Sequence, residues 1–154
     1  MSLTLDLPTP EATARLGASL ADGLVAGDMI CLIGGLGAGK TTLARGLIGA
    51  LMGAPVEVPS PTFTLVQLYE APALRVWHFD LYRLETAEEV VELGWEEAAD
   101  GLALVEWPEQ AGRFLPRQRL DVRLTANGEG RIARLEPHGE RWQEHLNGLR
   151  RPDA

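Results

Sequence analysis

Residues 29 to 52 constrain the fold more tightly than any other stretch. Met29-Ile-Cys-Leu-Ile33 is a short apolar run suited to a buried strand. Gly34-Gly-Leu-Gly-Ala-Gly-Lys-Thr-Thr42 follows, and behind it Leu43, Leu47, Ile48 and Leu51 recur at helical spacing, which predicts a helix over 41–52. Gly34, Gly39, Lys40 and Thr41 fit the phosphate-loop pattern of Gly, four residues, then Gly-Lys-Thr. Glycines let backbone N–H groups converge on a phosphate without Cβ clashes. Lys40 adds a point charge for β- and γ-phosphates, and the Thr41 hydroxyl can ligate Mg²⁺. A helix starting there turns its positive end toward the same anion. A Gly-rich turn could carry the pattern without function, but the strand, loop and helix order is what the motif requires. Lys40 is also the only lysine among fourteen basic residues.

At 154 residues the chain is long enough to bury a real core and reads as one domain over 1–154. Its net charge of −8 argues against broad nonspecific nucleic-acid binding, which needs a basic surface, but leaves room for a protein partner that holds RNA. The single Cys31 lies inside the first buried strand and reads as a small hydrophobe. With no apolar run near the roughly 18 residues of a membrane span and no secretory signal, no membrane role and a cytoplasmic location are expected.

Taken in order, residues 2–7 alternate as a half-buried strand. Thr9-Pro10-Glu11 opens a helix, with Thr9 as cap and Pro10 in the first position. Leu16, Leu20 and Leu24 give that helix a stripe, and Gly27-Asp28 ends it. After Gly53-Ala54-Pro55, the stretch Pro59-Ser-Pro-Thr-Phe-Thr64 reads as a structured loop. Its hydroxyls either sense a γ-phosphate or belong to a plain Pro-Ser turn. Residues 65–70 and 74–80 form an antiparallel hairpin around Ala71-Pro72. Thr86 caps a helix over 87–93, with Glu89 completing a capping box. The surrounding glutamates read as a solvated face. Residues 101–105 are wholly apolar and end in Glu106, as a buried parallel strand would. Residues 120–125 and 131–135 form a hairpin around Asn127-Gly128, and a last helix spans 139–150.

Two apolar strands thus end in an acid, Asp80 and Glu106, and on pattern alone either could assist Thr41 at a metal. Glu106 follows the cleaner buried run and is preferred as metal ligand, leaving Asp80 to position water or a switch. His78 reads as a bonded sheet histidine rather than a catalytic base. A guanine-specific Asn-Lys-x-Asp reader is impossible with Lys40 alone, so ATP is the expected nucleotide. A small-molecule kinase and a non-hydrolysing ATP-dependent regulatory module remain as alternatives.

Ser60-Pro-Thr-Phe-Thr-Leu65, His78-Phe-Asp-Leu-Tyr-Arg83 and Leu104-Val-Glu-Trp-Pro108, added to the phosphate loop and the Thr9 to Thr13 segment, resemble the TsaE family of bacterial ATPases. These are needed to form threonylcarbamoyladenosine in tRNA. The resemblance spans about residues 3–137. It implies an α/β P-loop fold, with a central parallel sheet flanked by antiparallel strands and helices on both faces. It implies ATP and Mg²⁺, with Leu36, Gly37, Ala38, Gly39, Lys40, Thr41 and Thr42 around the phosphates and Thr41 and Glu106 on the metal. Asp80 matches a residue linked to hydrolysis, Thr62 lies in a switch-like loop, Pro10 and Gly130 match positions near the adenine, and Trp107 matches a functionally important tryptophan. The implied partners are TsaB and TsaD, with tRNA contacted only indirectly. The chain departs from the family in having Gly35 where Asp is usual.

Overall fold

A computed structural model describes residues 2–59 and 64–149. The element order is β1 (Leu3–Leu7), α1 (Pro10–Leu20), β2 (Met29–Ile33), α2 (Lys40–Met52), β3 (Val66–Glu70), β4 (Arg75–Asp80), α3 (Glu89–Glu92), β5 (Leu102–Glu106), β6 (Arg119–Asn127), β7 (Gly130–His138) and α4 (Glu140–Asn147). All seven strands join one sheet in the order β1-β7-β6-β2-β5-β4-β3. β2 pairs in parallel with both β5 and β6, and β4 pairs in parallel with β5. The expected flanking strands run antiparallel, β3 against β4 on one side and β7 against β6 and β1 on the other.

Helices lie on both faces, unequally. One face is covered by α1, α2 and α4, whose Leu16, Leu20, Leu43, Leu47 and Trp142 pack with Ile30, Leu32, Leu104 and Val122 of the sheet. Each leucine buried this completely contributes about 1.5–3 kcal/mol. The other face holds Cys31, Phe79 and Val105 under α3 and two short 3-10 segments. Alternation along β4 and β5 separates these two sets and sends His78 and Asp80 to the α1–α2 side. Gly17 and Gly46 let α1 and α2 pack backbone to backbone; a Cβ on either would collide with the carbonyl oxygen of Leu43 or Ala14. This close approach carries the Thr9–Thr13 segment up to the phosphate loop.

Several boundaries differ from the sequence reading. α1 stops at Leu20, because Gly23 adopts φ +82 and turns the chain, while Leu24 packs on the core from outside the helix. α3 has four residues, although Glu89 still accepts from the Thr86 N–H at 2.8 Å, as a capping box requires. The β6–β7 turn is centred on Gly128 and Glu129, since Asn127 pairs with Gly130. α4 ends at Asn147. Among the described residues no helix is long and apolar enough to cross a membrane.

Candidate functional site

Parallel pairing brings the ends of β2, β4 and β5 to one edge of the sheet. Asp80 and Glu106 are register partners, and Leu32, two residues before Gly34, pairs with Glu106. Above this edge lies a cleft of about 300 Å³ lined by residues 36–42, Asp80, Tyr82, Glu106, Trp107 and Arg131. A smaller cleft of about 70 Å³ adjoins it, bounded by Thr9, Pro10, Thr13, Gly39, Thr42 and the Glu129–Arg131 turn. Pro10 and Gly130, far apart in sequence, therefore meet. A more voluminous cleft between α1 and α4, about 520 Å³, carries Asp22 and Glu144, which disfavour an anion.

The phosphate loop has the backbone its glycines permit. Gly39 sits at φ +101 immediately before α2, a conformation that a side chain strains, and the Leu43 N–H closes the first helical turn onto its carbonyl. Gly35 is different. Its φ lies outside the left-handed region and a Cβ there would meet nothing within 4 Å, so an aspartate would fit and the glycine is not a steric requirement. Lys40 is buried, donating from Nζ to the Gly34 carbonyl at 2.7 Å and lying 3.6 Å above the Trp107 ring. Burial pushes its ammonium below the ordinary lysine value, while Glu106, Asp80 and Glu109 pull it upward. Trp107 holds a left-handed φ of +59 and stacks on Tyr82 at 4.8 Å, an arrangement that puts its ring against the lysine.

Both acids are buried. Asp80 accepts the Tyr82 N–H at 3.0 Å, and Glu106 lies 2.7 Å from His78 Nε2. Thr41, Asp80 and Glu106 offer oxygen donors only, the set suited to a hard cation such as Mg²⁺. No cluster of three His, Cys, Asp or Glu residues able to hold a metal occurs among the described residues. Thr62 lies outside the described residues.

Arg131 is the site residue that the sequence reading missed. Its guanidinium donates to the carbonyls of Ala38 at 3.1 Å, Gly37 at 2.8 Å and Gly130 at 2.7 Å, pinning the phosphate loop to the start of β7. The available signal was its place directly after Gly130.

A family model described as "Threonylcarbamoyl adenosine biosynthesis protein TsaE" matches residues 7–134. The chain belongs to the TsaE family. Among its TsaE relatives, all named "tRNA threonylcarbamoyladenosine biosynthesis protein TsaE", that of Rickettsia conorii is 40% identical over 90% of this chain and 81% of its own. The Nostoc protein is 40% identical over 85% and 83% of the two chains. The Haemophilus influenzae protein is 36% identical over 87% and 89%. The crystal structure of Bacillus subtilus YdiB matches the fold with a TM-score of 0.82 and 29% identity, covering 100% of this chain and 97% of that one. The TsaE match includes the phosphate loop, Asp80, Glu106 and Gly130, and leaves α4 outside.

Proposed function

We propose that this chain binds and hydrolyses ATP as a component of the machinery that forms N6-threonylcarbamoyladenosine in tRNA, docking on the TsaB–TsaD pair and resetting it between turnovers. The observation that carries the reading is the meeting of residues 36–42, Asp80 and Glu106 on one cleft. Loop N–H groups and Lys40 hold the phosphates, and the α2 N-terminus adds its dipole. Thr41 and Glu106 would hold Mg²⁺, which when bound would supply positive charge to offset the negative charge of the phosphates. Asp80 orients the attacking water. Pro10 and Gly130 border the adenine. The chemistry is positioning and charge neutralisation, with no covalent work for the protein.

Arg131 lines the cleft, but its nitrogens are engaged with loop carbonyls. This supports slow hydrolysis by the chain alone and stimulation by its partner. The test is ADP release with and without the TsaB–TsaD pair. Stimulation by the pair is expected. Equal rates contradict the docking role, and release that depends on a small-molecule acceptor reassigns the chain as a kinase.

A further inference from the structure

His78 stands two register pairs before the two acids. The His-x-Asp spacing puts His78 and Asp80 on the same face of β4, and parallel pairing sets Leu104 beside His78 and Glu106 beside Asp80. His78 therefore reaches Glu106 on the diagonal, Nε2 to Oε2, at 2.7 Å. Neither side chain has appreciable exposure, 0% for His78 and 3% for Glu106. Glu106 lines the cleft and His78 does not, so the imidazole supports the carboxylate from behind.

The proposed role of Glu106 as a cation ligand requires its carboxylate to be ionised. An ionised carboxylate only accepts, so Nε2 carries the proton and donates. Nδ1 is then left buried with no hydrogen-bond partner among the described residues. An apolar side chain would fill the same volume without stranding a polar atom. What the imidazole adds is one directional N–H on Glu106. It occupies Oε2 and fixes the rotation of the carboxylate, leaving Oε1 for a ligand in the cleft.

We infer that His78 is a positioning residue, presetting the Glu106 carboxylate for the divalent cation that accompanies the nucleotide. The inference rests on the proposed ATP site and goes beyond it by assigning a role to a residue outside the cleft. Partners behind a metal ligand typically change metal affinity by about 10–100-fold when removed.

The test measures binding of ADP to the full chain by titration calorimetry, with Mg²⁺ and again in EDTA. His78→Asn, too short to reach Glu106, should lose about tenfold in the Mg²⁺-dependent part of the affinity and nothing in EDTA. His78→Gln, whose amide N–H reaches the Nε2 position, should recover most of the loss. In a Glu106→Ala background His78→Asn should have no further effect. Equal loss with and without Mg²⁺, or an undiminished Mg²⁺ gain in His78→Asn, overturns the inference while the wild-type ATP site stands. A wild-type chain that binds no nucleotide overturns both. Should His78→Asn fail to fold, nitrogen NMR of wild-type His78 decides instead. An Nε2–H resonance that moves when Mg²⁺ joins the nucleotide complex supports the role, and an Nδ1–H tautomer overturns it.

Discussion

β5 and β4, on one side of β2, reach the cleft with the buried carboxylates of Glu106 and Asp80, whereas on the other side the start of β7, with Gly130 and the Arg131 guanidinium, and Pro10 of α1 border the two adjoining clefts. Both sides are built on the same sheet edge, yet they suit different tasks. Buried acids at register-paired strand ends act on charge and protons, where a low dielectric magnifies their effect. An arginine tied to loop carbonyls acts on shape, holding the loop where its N–H groups converge. Under the proposed function, turnover falls to the acid side and grip to the wing.

Lys40 serves both sides, so its removal should erase the distinction. Lys40→Ala is expected to lower nucleotide affinity by about a hundredfold, the equivalent of one strong charge-assisted bond, as measured by calorimetry. Affinity within a few-fold of wild type would mean that the loop backbone alone holds the phosphates. Arg131→Ala should have a smaller effect of a different kind. Losing the clamp should weaken binding about tenfold, near one ordinary hydrogen bond's worth, while the rate at saturating ATP stays close to wild type. A saturated rate that falls instead would move Arg131 to the turnover side and break the comparison.

The smallest expected effect lies farthest from the cleft. His145 of α4 donates from Nε2 to the Leu20 carbonyl at 3.1 Å. Burial pulls its pKa below the ordinary 6.5, assisted by Arg141 and opposed by the Leu20 bond, Asp28 and Asp22. The unfolded chain therefore takes up the proton first as pH falls, so the contribution of this residue to stability is present above about 6.5 and declines below it, until the folded ring also protonates. Thermal unfolding of wild type and His145→Gln between pH 7.5 and 5.5 should show the wild type losing more. Nucleotide affinity per folded molecule should not follow that difference, because α4 borders neither nucleotide cleft.

How much of this was legible in the sequence depends on distance along the chain. The phosphate loop was readable because nine consecutive residues carry it. Asp80 and Glu106 were readable as ends of apolar strands, and the pleat of β1 and the β6–β7 hairpin followed from alternation. The His78–Glu106 contact spans 28 residues and the Arg131 clamp 93, and each depends on strand register that no local pattern encodes. The lysine–tryptophan contact was hidden for another reason. It requires Trp107 at a positive φ that bulky residues rarely adopt, so periodicity gave no hint of it. The end of α1 was misread because Leu24 continues the stripe in sequence while Gly23 has already turned the chain.

The division between grip and turnover is tested most directly by Asp80→Ala, with ATP binding and TsaB–TsaD-stimulated ADP release measured on the same preparation. The proposed roles require ATP affinity within a few-fold of wild type and a stimulated rate lower by about a hundredfold or more, the scale of losing one group that acts only in the transition state. A variant that hydrolyses ATP at the full stimulated rate would contradict the account.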